Sequence, residues 1–590
     1  MKLTKEKLLG QYYSGQSIPK LLYDLLHDKE SIATMIDPMC GVGDMFSPFR
    51  EHKVSLNGVE IDADAYGKAH LDYPGANIKL ANAFSSEAMM GYCLDGYDVV
   101  MTNPPYVRYQ LVDAGKQVLN DKWMGLSGIK AALTRYARIT RTITDEEKKL
   151  MMSAIDSISG LSDLAIPSWL LCMMLVRMGG QLAIVMPSSW LTREYSKSVA
   201  HLLMSMFSID YIINDAGMSW FKGKAQVKTS LIVATRTSAV SDSHQLKYMD
   251  MFNQLADADE KLGAARNYCQ KDFLVKIAGS LNYSISRLSE LMGTAGSASV
   301  KPLTEFGVKF GQGLRTGGNL FFYVPNGSFV SADSHSYLRK VIQSQKDLGQ
   351  TYSTSDCRCS CRLLYLQDRI TSKDYAGIQF EKHRNSYQVM DKALEQYVNK
   401  AETTPINGKL IPGLSSVRTN ARKETPSQQP RFWYMLPKLT KRHVGTLFVP
   451  RVNGGVPVVR RNADDYVMDA NFITIWLDGS SPLNEYALLS ILNSRWCSVL
   501  FEENGTVMGG GALKLDAVQM KRLFVPVFSQ ESLLRLSALG ESLCRTSISE
   551  SGEIINDIDR EILKEAGVVN MDEALEALSG ICAYYLNQRI

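Results

Sequence analysis

Asp98-Val-Val-Met-Thr-Asn-Pro-Pro-Tyr106 is an apolar run that stops abruptly. Its first half is short and β-branched, the pattern of a buried strand, and Asn103-Pro104-Pro105-Tyr106 cannot continue a sheet. Two consecutive prolines fix φ twice and remove two backbone donors, so the chain leaves the strand as a stiff loop. That loop holds an amide, a free carbonyl and an aromatic ring at the carboxyl edge of the sheet, where open α/β folds bind ligands. The set suits a planar amino group conjugated to a ring. The Asn103 side-chain oxygen and the Pro104 carbonyl can both accept hydrogen bonds from one –NH2, which returns the nitrogen lone pair for nucleophilic attack. Tyr106 offers a face for the ring to stack on, and no general base is required. Taken alone, the stretch reads equally well as a Pro-Pro turn behind a core strand. The segments around it decide.

Upstream, Thr34-Met-Ile-Asp-Pro-Met-Cys-Gly-Val-Gly-Asp44 predicts a first strand and a tight Gly-rich turn into a helix. It lacks the third glycine of a dinucleotide fingerprint and the Gly-Lys-Ser/Thr end of a phosphate loop, so a small cofactor without a pyrophosphate fits better. Leu56-Asn-Gly-Val-Glu-Ile-Asp62 places Glu60 at the end of a second strand, where an acid can take ribose hydroxyls. Ile78-Lys-Leu-Ala-Asn-Ala-Phe84 is a third short strand ending in a polar residue with an aromatic beyond it. Gly10-Gln-Tyr-Tyr-Ser14 precedes an amphipathic segment carrying Ile18, Leu21, Leu22, Leu25 and Leu26. Tyr12 and Tyr13 either cover a flat ligand or plug the helix start.

A chain of 590 residues should hold two or three domains. With 45% hydrophobic and 21% charged residues it reads as an ordinary globular protein, and a net charge of +4 means that any nucleic-acid surface must come from local clustering. The ten cysteines are scattered except for Cys357-Arg-Cys-Ser-Cys361, which points to a reducing compartment, and no second Cys/His cluster stands at zinc spacing, so no metal site is expected. The N-terminus lacks a signal-peptide core and no apolar run approaches 18 residues, so the expectation is a cytoplasmic protein without a membrane partner.

The motif set resembles the S-adenosylmethionine-dependent amino-group DNA methyltransferases, specifically the N6-adenine enzymes of restriction-modification type whose recognition domain comes last. The resemblance implies an N-terminal cofactor motif at Tyr12, Tyr13 and Ser14, and a turn around the methionine moiety at Asp37, Cys40, Gly41 and Gly43. It further implies a ribose-binding acid at Glu60, with Ile61, Asn82 and Phe84 about the cofactor adenine. Asn103, Pro104, Pro105 and Tyr106 match the catalytic motif, with Asn103 also next to the cofactor. The family usually carries Asp where Asn82 stands; an amide oxygen can still accept from the adenine amino group. Trp220-Phe-Lys222, before the strand-like Val227–Ala234, implies a Phe221 that stacks on a flipped adenine opposite Tyr106, with Trp220 as the competing candidate.

From Arg108 to Arg141 there are seven Lys/Arg against two Asp/Glu, with aromatics interleaved, so this insertion could close over DNA or form a solvated helical cover. Residues 239–300 are polar and helix-prone. Phe306-Gly-Val-Lys-Phe-Gly-Gln-Gly-Leu-Arg-Thr-Gly-Gly-Asn319 resembles the opening of the family's target-recognition domain, and Met508-Gly-Gly-Gly-Ala-Leu-Lys514 its ending. Between Ala401 and Arg461 lie eleven Lys/Arg and two Asp/Glu, the most basic part of the chain. Its first thirty residues look like a mobile loop, and Lys438, Lys441, Arg442 and Arg451 join Arg108 as candidate DNA contacts.

The expected architecture is α/β: a Rossmann-like methyltransferase domain over 1–240 with a mostly parallel seven-stranded sheet, a helical connector over 241–300, a mixed α+β target-recognition domain over 301–528 and a helical tail over 529–590. The resemblance implies methyl transfer from S-adenosylmethionine to the N6 amino group of an adenine flipped from double-stranded DNA, by a monomer on DNA, with room for a separate restriction endonuclease or defence-system subunit. Three other readings remain: an Asn-Pro-Pro-Tyr methyltransferase acting on RNA or a protein glutamine, a fused restriction–modification enzyme, for which no convincing nuclease carboxylate/Lys cluster is read in the tail, and a DNA-binding protein with a degenerate catalytic domain.

Overall fold

The computed structural model describes residues 15–106, 124–158, 164–191, 197–215, 220, 228–238, 244–251, 266–271, 273, 287–291, 299–328, 334–405, 408, 410–508 and 511–589. The chain divides into two compact units, Met1–Ile285 and Ser286–Ile590.

The first unit is built on a nine-stranded sheet of order β3-β2-β1-β4-β5-β7-β6-β8-β9. The strands are β1 (Thr34–Asp37), β2 (Ser55–Glu60), β3 (Asn77–Leu80), β4 (Tyr97–Thr102), β5 (Val176–Pro187), β6 (Phe207–Asp215), β7 (Thr229–Arg236), β8 (Gln245–Met251) and β9 (Arg266–Cys269). β1 to β5 pair in parallel, β7 runs antiparallel between β5 and β6, and β8 lies parallel to β6 with β9 antiparallel at the edge.

Alternate residues of the central strands go to opposite apolar layers. Ile36, Val100, Leu182, Ile184 and Ile232 face one cluster; Met35, Val99, Met101, Ala183, Val185 and Val233 face the other. This period of two, apolar on both faces, is what a sheet covered by helices on both sides requires. The helices Leu126–Ile139, Ala165–Leu175 and Lys197–Met206 bring apolar residues to the first layer, and Ser17–Asp24 to the second.

The sheet is large and mixed; among the described residues it has nine strands, two of them from the stretch read as a helical connector. Leu246 and Tyr248 go to one layer, Met249 and Met251 to the other, but polar residues between them hide the alternation in so short a run. β2 and β3 extend to one side of β1 and β4 lies on its other side, so the strand order reverses between β1 and β4. A crevice opens outside the carboxyl ends of strands at such a point.

Among the described residues the second unit has no single dominant sheet. Val308–Gln312, Phe472–Leu477, Leu447–Pro450 and Arg460–Arg461 form one four-stranded antiparallel sheet, and Tyr323–Pro325, Cys361–Leu364, Leu338–Ile342 and Val467–Met468 a mixed one. Only Cys361 of the three spaced cysteines is in a strand; Cys357 and Cys359 pack beside a different apolar cluster.

The helices of the C-terminal stretch, Gln530–Arg545, Gly552–Glu565 and Met571–Arg589, belong to this unit. The Ser490 hydroxyl donates to the Leu536 carbonyl at 2.7 Å, and Arg495 pairs with the buried Asp559 at 3.0 Å. The segment expected to be a mobile loop is folded around local bonds, including a bridge between Arg422 and Arg431.

Candidate active site

Asp37 ends β1 and is almost fully buried. Its Oδ1 accepts the Met39 N–H at 3.0 Å, which starts the turn. Burial pushes its carboxyl up to about 7, against the opposing effects of the Thr102 hydroxyl and the Met39 N–H. The turn itself tightens through Gly43 N–H to Cys40 O at 2.8 Å. Gly43 has φ +88°, and a Cβ there would come within 2.8 Å of the Tyr73 ring, so both backbone and packing require glycine. Cys40 is buried, and its thiol is pushed up by desolvation.

Glu60, at the end of β2, is the fastener of this edge. One carboxylate oxygen accepts the Gly41 N–H and the other the Asp62 N–H, each at 2.7 Å. It therefore ties the loop after β1 to the loop after β2. Burial raises its pKa, while the same N–H donors pull it down. Asp62 caps the helix Ala63–Asp72 by accepting from Asp64 N–H at 3.0 Å. Ile61 is half-buried beside them.

After β3, the Asn82 Oδ1 accepts the Phe84 N–H at 2.9 Å and shapes the loop. Phe84 is 4% exposed and belongs to the apolar cluster with Ala88, Met89 and Tyr92.

β4 then delivers Asn103 to the same edge, with Pro104 buried and Pro105 half-buried. The Tyr106 hydroxyl donates to Asn103 Oδ1 at 2.7 Å, the oxygen assigned to an amino group. The Tyr106 ring is half-buried against both apolar layers, and burial raises its phenol pKa strongly.

Asp37, Cys40, Gly41, Gly43, Glu60, Ile61, Asn82 and Asn103–Tyr106 thus meet at the carboxyl ends of four adjacent strands. Tyr12, Tyr13, Ser14, Arg108 and Phe221 lie outside the described residues. The sequence reading missed Asp44, whose carboxylate accepts the Gly15 N–H at 3.0 Å and so anchors the chain next to Ser14 against the Gly-rich turn. Trp220 packs against the second apolar layer, with its backbone N–H held by Asp215 at 3.0 Å.

Of the candidate DNA contacts in the second unit, Lys438, Lys441 and Arg442 are exposed. Arg451 pairs with Asp516, which Lys514 also approaches at 3.3 Å. The two carboxylates of the basic stretch are satisfied locally. Glu402 accepts the Trp433 indole N–H at 2.9 Å, and Glu424 takes His383 at 2.8 Å together with two backbone N–H groups.

Residues 49–221 match the family described as Eco57I restriction-modification methylase. The methylase segment holds β2 to β6 with Glu60, Asn82 and Asn103–Tyr106, and the Gly-rich turn precedes it. The type II methyltransferase M.AccI of Acinetobacter calcoaceticus is 20% identical over 531 residues, 87% of this chain and 84% of that protein. Among solved structures, the type IIG restriction endonuclease BpuSI aligns over 100% of this chain and 66% of its own, at 14% identity and a TM-score of 0.38. The type I restriction enzyme EcoKI M protein aligns over 41% and 48%, at 15% identity and a TM-score of 0.25. The chain resembles restriction-modification DNA methyltransferases. Among the described residues no helix is long and apolar enough to cross a membrane.

Proposed function

We propose that this protein transfers a methyl group from S-adenosylmethionine to the N6 amino group of an adenine turned out of double-stranded DNA, as the modification part of a restriction-modification or related defence system. The observation that carries the reading is the meeting of Asn103-Pro-Pro-Tyr106 with the Asp37–Gly43 turn on one sheet edge, fastened by Glu60.

The donor set fits the cofactor. Glu60 and Asn82 offer oxygen acceptors for hydroxyl and amino hydrogens, and Asp37 offers a buried carboxyl near neutrality, able to ionise against a cation. When bound, S-adenosylmethionine supplies an electrophilic methyl group. The chain's part is positioning. Asn103 Oδ1 and the Pro104 carbonyl hold the amino group so that its lone pair points at its target, which requires the Tyr106 hydroxyl to release Asn103. Tyr106, freed from its internal packing, and Phe221 then sandwich the ring. No side chain needs to act as a base, so orientation and exclusion of water carry the rate.

The exposed cations of the second unit serve as DNA backbone contacts in this reading, which makes binding strongly salt-dependent. Residues 301–528 then act as the target-recognition part, with a separate nuclease as partner.

The test is transfer of labelled methyl from S-adenosylmethionine to three acceptors offered in parallel: unmethylated genomic DNA, total RNA and a protein extract. Label confined to DNA is the expected result. Label in RNA or protein alone overturns the DNA assignment.

A further inference from the structure

In the second unit, three segments far apart in sequence converge around residues 313–320. Leu314 N–H donates to Met468 O at 2.7 Å, and Met468 N–H donates to His443 O at 2.9 Å, so two successive bonds through Met468 join the 438–443 segment to the loop. A Cβ on Gly311 would run into the Arg442 side chain, so Arg442 lies directly over the strand that feeds the loop. On the other side the Ser416 hydroxyl donates to Gly317 O at 3.1 Å, and a Cβ on Gly318 would sit 3.2 Å from Val417. None of the stretches 313–320, 415–423 and 435–443 contains an Asp or Glu. Together they carry exposed Arg315, Arg418, Arg422, Lys423, Lys438, Lys441 and Arg442.

The loop is stiff. Gly313 lies so close to the Met468 and Asp469 carbonyls that no side chain fits, and Gly317 has φ +72° with Ser416 Oγ 2.5 Å from where a Cβ would be. Thr316 is buried, its hydroxyl donating to Asn319 Oδ1 at 2.5 Å and accepting from Gly318 N–H at 3.2 Å. Asp469 is fixed by the Tyr323 hydroxyl at 2.5 Å. From this rigid frame Arg315 projects exposed, with no hydrogen bond or ion pair among the described residues, and Leu320 stands 69% exposed. A cation left unpaired on a rigid loop costs solvation nowhere and keeps its planar fork free for an external partner.

We infer that the 313–320 loop enters a groove of the DNA and that Arg315 reads a guanine edge there, while Arg442, Lys441 and their neighbours hold the flanking phosphates. This rests on the DNA-modifying reading above and adds a specificity-determining residue to it. A guanidinium matches guanine O6 and N7 with two parallel bonds, and a rigid mount makes that match selective. Leu320 supplies an apolar surface to the same groove.

The experiment selects bound sequences from a random duplex pool with the full-length protein and measures affinity by fluorescence anisotropy at several salt concentrations. The wild-type chain is expected to enrich a motif containing at least one G·C pair. Arg315→Ala should lose about ten- to hundredfold preference at one or two adjacent positions of that motif while the rest persists. Arg315→Lys should relax the same positions. Lys441→Ala should instead weaken binding evenly and lower the salt slope by about one, leaving the motif intact. An unaltered motif for Arg315→Ala, with or without an even loss of affinity, overturns the inference alone. A wild-type chain that binds cofactor but enriches no sequence overturns the DNA reading itself, and the inference with it.

Discussion

Asp37 sits almost fully buried at the end of β1, its carboxyl pushed by desolvation from 3.8 up to about 7. A folded pKa above the unfolded one means that the folded state binds the proton more tightly. The associated stability is complete below about pH 4 and is lost as pH rises through 7. Asp37→Asn removes this loss while keeping an acceptor for the Met39 N–H. Scanning calorimetry should therefore show the melting temperature of the variant gaining on the wild type from pH 4 to 8; a gap constant with pH would contradict the assigned titration. Tyr106 gives a second residue-scale prediction, since the proposed reading gives its ring and its hydroxyl separable roles. Tyr106→Phe should keep DNA methylation within about threefold of wild type, whereas Tyr106→Ala should lose more than tenfold by forfeiting base stacking, worth about 1–3 kcal/mol. Equal losses in the two variants would place the function in the hydroxyl. At this scale the sequence named the residues of the edge well, because strand ends, glycines and prolines are local signals. It could not show that Glu60 spends both oxygens on backbone N–H groups, or that Phe84 turns inward, since both depend on how neighbouring loops pack.

Between elements, Arg236 at the end of β7 is a buried tie outside the site. It is 1% exposed, meets Glu147 at 2.6 Å and donates to the carbonyls of Thr142, Met206 and Thr237. Glu147 also completes the capping box with Thr144 that starts the helix Asp145–Ser157. Arg236→Met takes the buried cation from Glu147 and a donor from three carbonyls and should cost about 3–5 kcal/mol, read from urea denaturation; a loss below about 1 kcal/mol would show that water replaces the tie. In the Gly-rich turn, Gly43→Ala meets both a left-handed φ and the Tyr73 ring. It should destabilise by at least about 1–2 kcal/mol and weaken cofactor binding, measured by isothermal titration. The strands β1 to β7 could be anticipated from apolar runs between turns. β8 and β9 could not, because their short alternation is set in polar sequence and gains meaning only when an existing sheet edge receives it.

Across the whole chain, the two units raise different problems of stability. The first is held by a sheet buried on both faces, the second by smaller sheets and a helical stretch whose ties are partly ionic. Arg589 makes a bidentate pair with Glu502 at 2.8 and 2.9 Å and donates to the carbonyls of Asn453, Gly454, Gly455 and Gly511. Such a link between residues 87 apart leaves no local trace in sequence. The central claim remains the chemistry at Asn103. Its most direct measurement is mass spectrometry of nucleosides from unmethylated DNA incubated with the protein and S-adenosylmethionine, with Asn103→Ala alongside and cofactor binding verified for both. N6-methyladenine as the methylated product, reduced at least a hundredfold in the variant, is the predicted result. N4-methylcytosine or 5-methylcytosine in its place, or N6-methyladenine undiminished in the variant, would contradict the account.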